Sequence, residues 1–541
     1  MQQTQTNENQ TQRRHHFSLL NLIGILSILT LIFSSVARVY LEYKYRIDPK
    51  YTEFLKNHPN YGFNGTIHKL IAKELNYVPN NETYLDFTGA GQYQLKQVRK
   101  SLKVLEHSLK CNTHSLSACS KRTEVAIDEV RERILNFFNA PAGSYSVIFT
   151  QSSTSALHLI GDSFPWSNKS LYLYAKHNHN SVLGIRSLAK KFNASYQTLS
   201  WDQHQKEIIN NRTLNARQMT RMYMNVPDDG QITHNLVAFP AECNFSGIKY
   251  PLELVQAFEA NKEGEKYNPG AWHVLLDAAA FVPTNPLDLN KFPASFVVMS
   301  FYKMFGFPTG IGALLVRSDV AALMKKTYFA GGSVVTVSCD TDYCKLKPKY
   351  HEKFEDGTLD FISIDQLRYG FDALEELGME NIQDHVWAVT RRFYEGLSQM
   401  KHSNGKPLAE FYGNHELNNK KKQGGIVTFN LVDKNGIYIG YSLITKKCAD
   451  ANFMIRAGCS CNPGACHNFL GLNEEMVIKS SMTRTSCGDE QDNIMGKPLG
   501  AVRASFGYPT TLEQIDSFLA FLKEQFIDHE ESITKVFGLN K

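Results

Sequence analysis

Six short apolar runs, spaced along the first two thirds of the chain, most constrain what it can fold into. They are Ser146–Thr150, Leu171–Ala175, Leu236–Ala241, Val274–Asp277, Phe296–Ser300 and Ala313–Val316. Helical stretches lie between several of them; in Glu124–Asn139 the spacing puts Val130, Ile134 and Phe138 on one face. Strands alternating with helices predict an α/β fold with a mostly parallel sheet covered on both faces.

Beyond about residue 375 the character changes. A long helical region leads to a strand at Ile426–Leu431, a helix, a cysteine-rich turn and a strand at Ala501–Phe506. Thr510-Thr511-Leu512-Glu513 reads as a capping box that opens an amphipathic helix to about Phe526. The expected organisation is a large domain over residues 81–375 and a smaller α+β domain over 376–541. The ligand is expected where strands end, between the two. A chain of 541 residues, 43% hydrophobic and 21% charged, has room for both and is not of disordered composition.

The N-terminus reads differently. Residues 1–16 form a polar, disordered tail, and Phe17–Ala37 is an uncharged run of 21 residues. Such a run is about long enough to cross a bilayer of roughly 30 Å as a helix. An uncleaved membrane anchor is expected, with residues 38–80 as a juxtamembrane connector. A signal peptide cleaved near Ser35-Val36-Ala37 is the alternative. Arg38, Lys44, Arg46 and Lys50 outnumber Arg13 and Arg14, which points the main body to the cytosol. Six Asn-x-Ser/Thr sequons, at Asn64, Asn81, Asn168, Asn193, Asn211 and Asn244, are near what chance provides and assign no compartment.

The net charge of +5 is spread along the chain and leaves no footprint for nucleic acid. Ten cysteines in 541 residues are too few for a disulfide scaffold. Three of them crowd at Cys459, Cys461 and Cys466, so reduced thiols with one special site are expected.

Several strand ends carry chemistry. In Ser300-Phe301-Tyr302-Lys303 a lysine follows a buried strand and precedes a Gly-rich turn. Partial desolvation there lowers an amine's pKa and suits Schiff-base chemistry. Asp277 ends another apolar strand, where a carboxylate can keep a pyridine nitrogen protonated or simply cap a helix. Thr150-Gln151-Ser152-Ser153-Thr154-Ser155 is a strand–turn–helix junction whose N–H groups and hydroxyls suit a phosphate. His179 and Asn244 follow other strands and can stack on, or donate to, a flat ring. The segment Arg456 to Cys466 has a poor zinc spacing, Cys-x-Cys-x4-Cys, and reads better as a nucleophilic thiol beside arginine. Arg503 has the planar fork to hold a carboxylate.

Together these residues resemble the class V aminotransferases, of pyridoxal-phosphate fold type I. They are most similar to the N-terminal domain of molybdenum cofactor sulfurases, from Tyr84-Leu85-Asp86 to Tyr508 and into the last helix. The more specific motifs are Gly161-Asp162-Ser163-Phe164-Pro165-Trp166, Asn178-His179-Asn180-Ser181-Val182-Leu183-Gly184, Asn244-Phe245-Ser246-Gly247, Phe354-Glu355-Asp356-Gly357-Thr358, Gly458 to Cys466, and Cys487-Gly488-Asp489.

The resemblance implies that Lys303 holds pyridoxal 5'-phosphate and Asp277 pairs with its ring nitrogen. His179 would stack on the ring, Asn244 touch its hydroxyl, and Ser152, Ser153, Thr154 and Ser300 surround the phosphate. Ser333 would complete that site in a second subunit, which implies a homodimer. Cys461, five residues after Arg456, is the implied nucleophile, with Cys459 and Cys466 as alternatives. Arg503, with Arg456 nearby, would bind the carboxylate of L-cysteine. The implied reaction takes sulfur from L-cysteine, leaves alanine, and passes the sulfur to the molybdenum cofactor or an acceptor protein. A general cysteine desulfurase, an aminotransferase, a kynureninase-like lyase and an inactive membrane-tethered scaffold are the competing readings.

Three departures accompany the resemblance. Gln151-Ser152-Ser153 stands where Ser-Gly-Ala is usual, and Glu242-Cys243 where Gln-Ser is usual. The sequence also stops after the small domain, where sulfurases continue into a cofactor-binding domain.

Overall fold

Seven strands form the central sheet: β1 (Tyr145–Thr150), β2 (Leu171–Ala175), β3 (Ser195–Leu199), β4 (His234–Pro240), β5 (Ala271–Asp277), β6 (Phe296–Ser300) and β7 (Gly312–Arg317). Their spatial order is β1-β7-β6-β5-β4-β2-β3. All run parallel except β7, which is antiparallel to both β1 and β6. The computed structural model describes residues 26–27, 30, 47–199, 232–260, 263–482, 484 and 492–528.

Successive side chains of a strand point to opposite faces, and here both faces are covered. Val147, Phe149, Leu173, Val237, Leu276 and Met299 pack into one core. Ile148, Tyr172, Tyr174, Leu236, Leu275 and Val298 pack into the other. Each such side chain, fully buried, contributes about 1.5–3 kcal/mol of transfer free energy. That double burial is why the strands read as unbroken apolar runs. β3 escaped prediction for the opposite reason: Ser195 to Thr198 lie exposed at the sheet edge and carry no apolar signal.

A second sheet of four antiparallel strands follows, ordered β8 (Ala409–Tyr412), β9 (Ile426–Leu431), β11 (Ala501–Ser505), β10 (Arg456–Gly458). Helices Phe361–Leu377 and Met379–Ser398 lead into it, and Leu512–Phe526 closes it. The closing helix ends at the predicted residue, but its capping box is shifted by one. Thr511 is the N-cap and Gln514 the reciprocal partner.

Two expectations about the N-terminal part are corrected. Thr83–Tyr84, expected in the large domain, pairs with Phe453–Met454, and Asp86 bridges to Ser505. Residues 47–75, expected as a connector, pack mainly on the small domain, with Glu74 at their end accepting from the Lys96 N–H of the large domain. Tyr51 bonds Asp516, the Gly62 N–H meets His385, and Tyr61 accepts from the Leu512 N–H. Burial pushes the His385 imidazole down to about 3, so it serves here as a neutral acceptor. The expected anchor, the tail before it, Asn211 and Cys487-Gly488-Asp489 lie almost wholly outside the described residues. Among the described residues no helix is long and apolar enough to cross a membrane.

The expectation of reduced thiols is also corrected. Cys111 pairs with Cys119, and Cys459 with Cys466.

Arg317 ends β7 fully buried, held by Glu259 at 2.9 Å, Asp319 at 2.8 Å and the Pro293 carbonyl at 2.5 Å. Its removal strands two carboxylates without water. Arg317→Ala is expected to cost about 3–5 kcal/mol, read as a lower midpoint in urea denaturation.

Candidate active site

The register of the sheet brings the phosphate candidates together. Ser300 pairs with Gly312 across β6 and β7, and Gly312 pairs with Thr150 across β7 and β1. Three chain segments therefore end flush. Ser153 opens the helix Ser153–Ser163, and both its N–H (2.9 Å) and its hydroxyl (2.8 Å) contact the Ser300 hydroxyl. Ser152 caps that helix by accepting from the Ser155 N–H. Thr154 touches the Ser181 hydroxyl at 2.9 Å. Gly312 permits the approach: a Cβ there would lie 2.6 Å from the Ser152 carbonyl carbon and 2.8 Å from the Met299 oxygen.

Lys303 lies on the short helix Phe301–Phe305 that follows β6. Burial pulls its amine pKa below the ordinary lysine value, the Asp277 carboxylate opposes that shift, and Arg503 and Arg456 add to it. Asp277 ends β5 and accepts from the Ala279 N–H on one oxygen. His179 caps Asn180–Leu183 through an Nδ1 that accepts from the Ser181 N–H. Its pKa is lowered, mainly by burial and then by Lys303 and Arg456, against the pull of Asp277. The imidazole is therefore neutral at pH 7, with Nδ1 unprotonated. Lys303 and His179 thus both sense the charges of Asp277 and Arg456.

The arginines come from the small sheet. Arg456 on β10 stands directly across from Arg503 on β11. Like charges so placed repel, and a carboxylate must intervene. Asp86 supplies it, 2.7 Å from Arg503 and 3.6 Å from Arg456. Arg503 is buried, at 2% exposed, and also donates to the Asn244 carbonyl at 2.7 Å. The predicted carboxylate-binder is thus already partnered on its two terminal nitrogens, and its Nε is buried without a partner. Arg456, about half exposed, is the more open of the two.

The cysteine turn docks on the loops of the large domain. The Asn180 N–H donates to the Cys461 carbonyl at 2.8 Å, and the Asn244 amide donates to the Ser460 carbonyl at 2.7 Å. With Cys459 and Cys466 cross-linked, Cys461 is the free thiol of the turn, and it is exposed. Asn244 was expected to face a ligand. Both its amide atoms contact the turn, and one N–H hydrogen and one lone pair remain for a ligand. Ser333 sits apart from these residues, its hydroxyl bonded to Ala330 in its own turn.

The aminotransferase class-V family profile matches residues 83–518. The chain belongs to the class V aminotransferase family. Within it, the chain is 39% identical over 473 residues to the molybdenum cofactor sulfurase of Bos taurus, covering 85% of this chain and 52% of that one. It is 38% identical to the sulfurase of Solanum lycopersicum, covering 89% and 60%. The chain thus spans about half the length of the curated relatives it matches. Among solved structures, a cysteine desulfurase from Thermococcus onnurineus NA1 superposes with a TM-score of 0.63 at 21% identity, covering 84% of this chain and 97% of that one. A C-DES variant with glycine covalently linked to its pyridoxal phosphate superposes with a TM-score of 0.58 at 16% identity, covering 84% and 99%.

Pyridoxal phosphate is the cofactor of this class V fold, and the donor set present fits it. A desolvated lysine, a carboxylate at a neighbouring strand end, a neutral histidine and a hydroxyl-lined helix N-terminus meet at one end of the sheet. Beside Lys303 lies a small pocket, lined also by Thr88, Glu242, Thr284 and Phe506. Glu242 is raised to about 7 by burial, opposed by Lys249 and Asn285.

Two residues that organise the surroundings of this site were not singled out from sequence. Asp86 lay inside Tyr84-Leu85-Asp86, where only a charge count over the two distant arginines pointed to it. Asn462 precedes Pro463, a helix-start signal that was visible, but its partners come from other strands.

Gly312→Ala should displace Ser152 and the phosphate turn. The expected outcome is a loss of pyridoxal phosphate affinity on the order of tenfold or more, measured by fluorescence titration of the apo protein, with the fold retained by circular dichroism.

Proposed function

We propose that this chain is a pyridoxal-phosphate-dependent sulfurtransferase that takes sulfur from L-cysteine onto Cys461 and releases L-alanine, the partial reaction of a molybdenum cofactor sulfurase. One observation carries the reading. Cys461, the uncrosslinked thiol of its turn, is tied through its own carbonyl to Asn180, the residue after His179. A class V aminotransferase or lyase has no use for a thiol so placed.

Lys303 would hold the cofactor through its amine, Asp277 its ring nitrogen, and Ser152, Ser153, Thr154 and Ser300 its phosphate, with His179 against its ring and Asn244 near its hydroxyl. Bound there, pyridoxal phosphate supplies an electron sink that makes the α-carbon of an amino acid acidic. Burial keeps a larger share of Lys303 neutral at pH 7–8 than a solvated lysine, so its amine can take the α-proton. Arg456, with Arg503 behind it, receives the substrate carboxylate in competition with Asp86.

Cys461 then attacks the substrate sulfur. The C–S bond of L-cysteine breaks, an S–S bond to Cys461 forms, and the proton lost from Cys461 replaces sulfur on the β-carbon. No outside oxidant or reductant is required. The sulfur acceptor in this reading is the molybdenum cofactor or an acceptor protein. A homodimer, with Ser333 completing the partner's phosphate site, belongs to the same reading.

Phe17–Ala37 is proposed as a membrane anchor with the catalytic body in the cytosol, on the strength of its flanking basic residues. The two disulfides pull the other way, toward an oxidising compartment. In the cytosolic orientation the exposed Asn64, Asn81, Asn168 and Asn193 stay unmodified. A glycosidase-induced mobility shift of the cellular protein would reverse that assignment.

The central test is mass spectrometry after adding L-cysteine to the holoenzyme. Cys461 is expected to gain the mass of one sulfur with one equivalent of alanine released. Cys461→Ala should abolish both while keeping the visible cofactor band, and Lys303→Ala should lose the band as well. Pyruvate, glutamate or no alanine in place of that result would refute sulfur transfer.

A further inference from the structure

We propose that Asn462 is the positioning residue that latches the Cys461 turn to the cofactor pocket; this rests on the sulfurtransferase reading above. Asn462 is fully buried, and its polar atoms face two ways. Inward to its own turn, its N–H donates to the Cys459 carbonyl at 2.9 Å, and its own carbonyl accepts from the Cys466 N–H at 3.1 Å. Its side-chain oxygen accepts from the Ala465 N–H at 3.1 Å, capping the helix Pro463–Phe469. Outward, its Nδ2 lies 2.9 Å from the Asn244 Oδ1, 3.1 Å from the His177 carbonyl and 3.4 Å from the Cys243 sulfur. His177 and Asn244 lie on the loops after β2 and β4, the loops that carry His179 and the Arg503 contact.

A plain helix cap needs the side-chain oxygen alone. The two N–H hydrogens satisfy acceptors on the other domain, and that is the part a cap does not explain. The turn also needs such a hold. Ser460 and Cys461 both sit in the left-handed region, at φ +50° and +56°, a conformation that persists only where surrounding contacts over-determine it. The Cys459–Cys466 cross-link closes the turn into a ring that moves as one piece, so docking is decided by its outward contacts. Those include the Asn462 amide, the Asn180 and Asn244 bonds to the Cys461 and Ser460 carbonyls, and Gly464, beside the apolar cluster that holds Ala465 and Cys466 with Cys243 and Phe245. A Cβ at Gly464 would lie 1.8 Å from the Lys176 oxygen.

Asn462→Asp separates latch from cap. A carboxylate caps a helix N-terminus at least as well as the amide. It cannot donate, and it turns a bond to the Asn244 Oδ1 into a repulsion. Three quantities are compared with wild-type holoenzyme: deuterium exchange of the Asn180 amide, α-proton exchange of L-alanine in heavy water, and single-turnover sulfur loading of Cys461 from L-cysteine. The Asn180 amide, released from the Cys461 carbonyl, is expected to exchange on the order of tenfold faster. Sulfur loading is expected to fall at least about tenfold, because the thiol is no longer held in register. Alanine α-proton exchange, which needs Lys303 and not Cys461, is expected to stay within about twofold.

Gly464→Ala forces the same undocking by a methyl group and should show the same split. Unchanged Asn180 exchange and sulfur loading in Asn462→Asp overturn the proposal. A parallel fall of α-proton exchange and sulfur loading overturns it too, since that marks general damage to the site. Should wild type load no sulfur, the sulfurtransferase reading fails by itself, and Asn180 amide exchange still decides the latch.

Discussion

Arg503 joins the two halves of the molecule at the place where the chemistry lies. It rises from the small sheet, donates to the Asn244 carbonyl on a large-domain loop, and pairs with Asp86, the bridge residue just after the strand Thr83–Tyr84. Buried at 2% exposure, it cannot lose either partner to water. An unpaired guanidinium in such a place costs several kcal/mol, so the cleft is held at one width. Asp86 in turn allows Arg456 to stand directly opposite Arg503, two like charges that would otherwise part.

Around that join the electrostatics are graded rather than neutral. Lys303 is desolvated, which favours the uncharged amine, while Asp277 draws it back toward the ammonium. His179 is held neutral by burial beside two cations. The hydroxyls form two separate hydrogen-bonded chains, Ser300 with Ser153, and Thr154 through Ser181 to the His179 ring. A ligand with one aromatic ring and one phosphate matches that layout from end to end. The cysteine turn approaches the same place from the small domain, bridged by the paired amides of Asn244 and Asn462.

Where the sequence reading succeeded, a local signal existed. Five of the six apolar runs fall within or coincide with observed strands, and Leu236–Ala241 overruns β4 by a single residue, because double burial leaves no polar positions to obscure them. Lys303, Asp277 and the Ser152–Thr154 turn stand at strand ends, where a break in hydrophobicity marks them. β3 lies exposed along most of its length, so its residues carry no apolar pattern, and the hairpin Val334–Val337 with Cys344–Leu346 is too short to stand out although Val334, Val335 and Val337 are apolar. The displaced capping box was a close miss of a related kind, since Thr510 and Thr511 are chemically equal and only the chain's entry angle chooses between them.

The sequence by itself determined the α/β class, the order of the strands along the chain and the residue types available for chemistry. Those depend on hydrophobic periodicity and turn preference within short windows. The tertiary structure alone decided which residues meet: Asp86 with Arg503 across 417 positions, Asn462 with Asn244 across 218, and residues 47–75 with the closing helix. It also decided that Cys459 and Cys466 are joined while Cys461 is free, a choice that spacing left open. Contacts of that kind arise from sheet register and domain docking, where many weak interactions act together and no single segment carries the information.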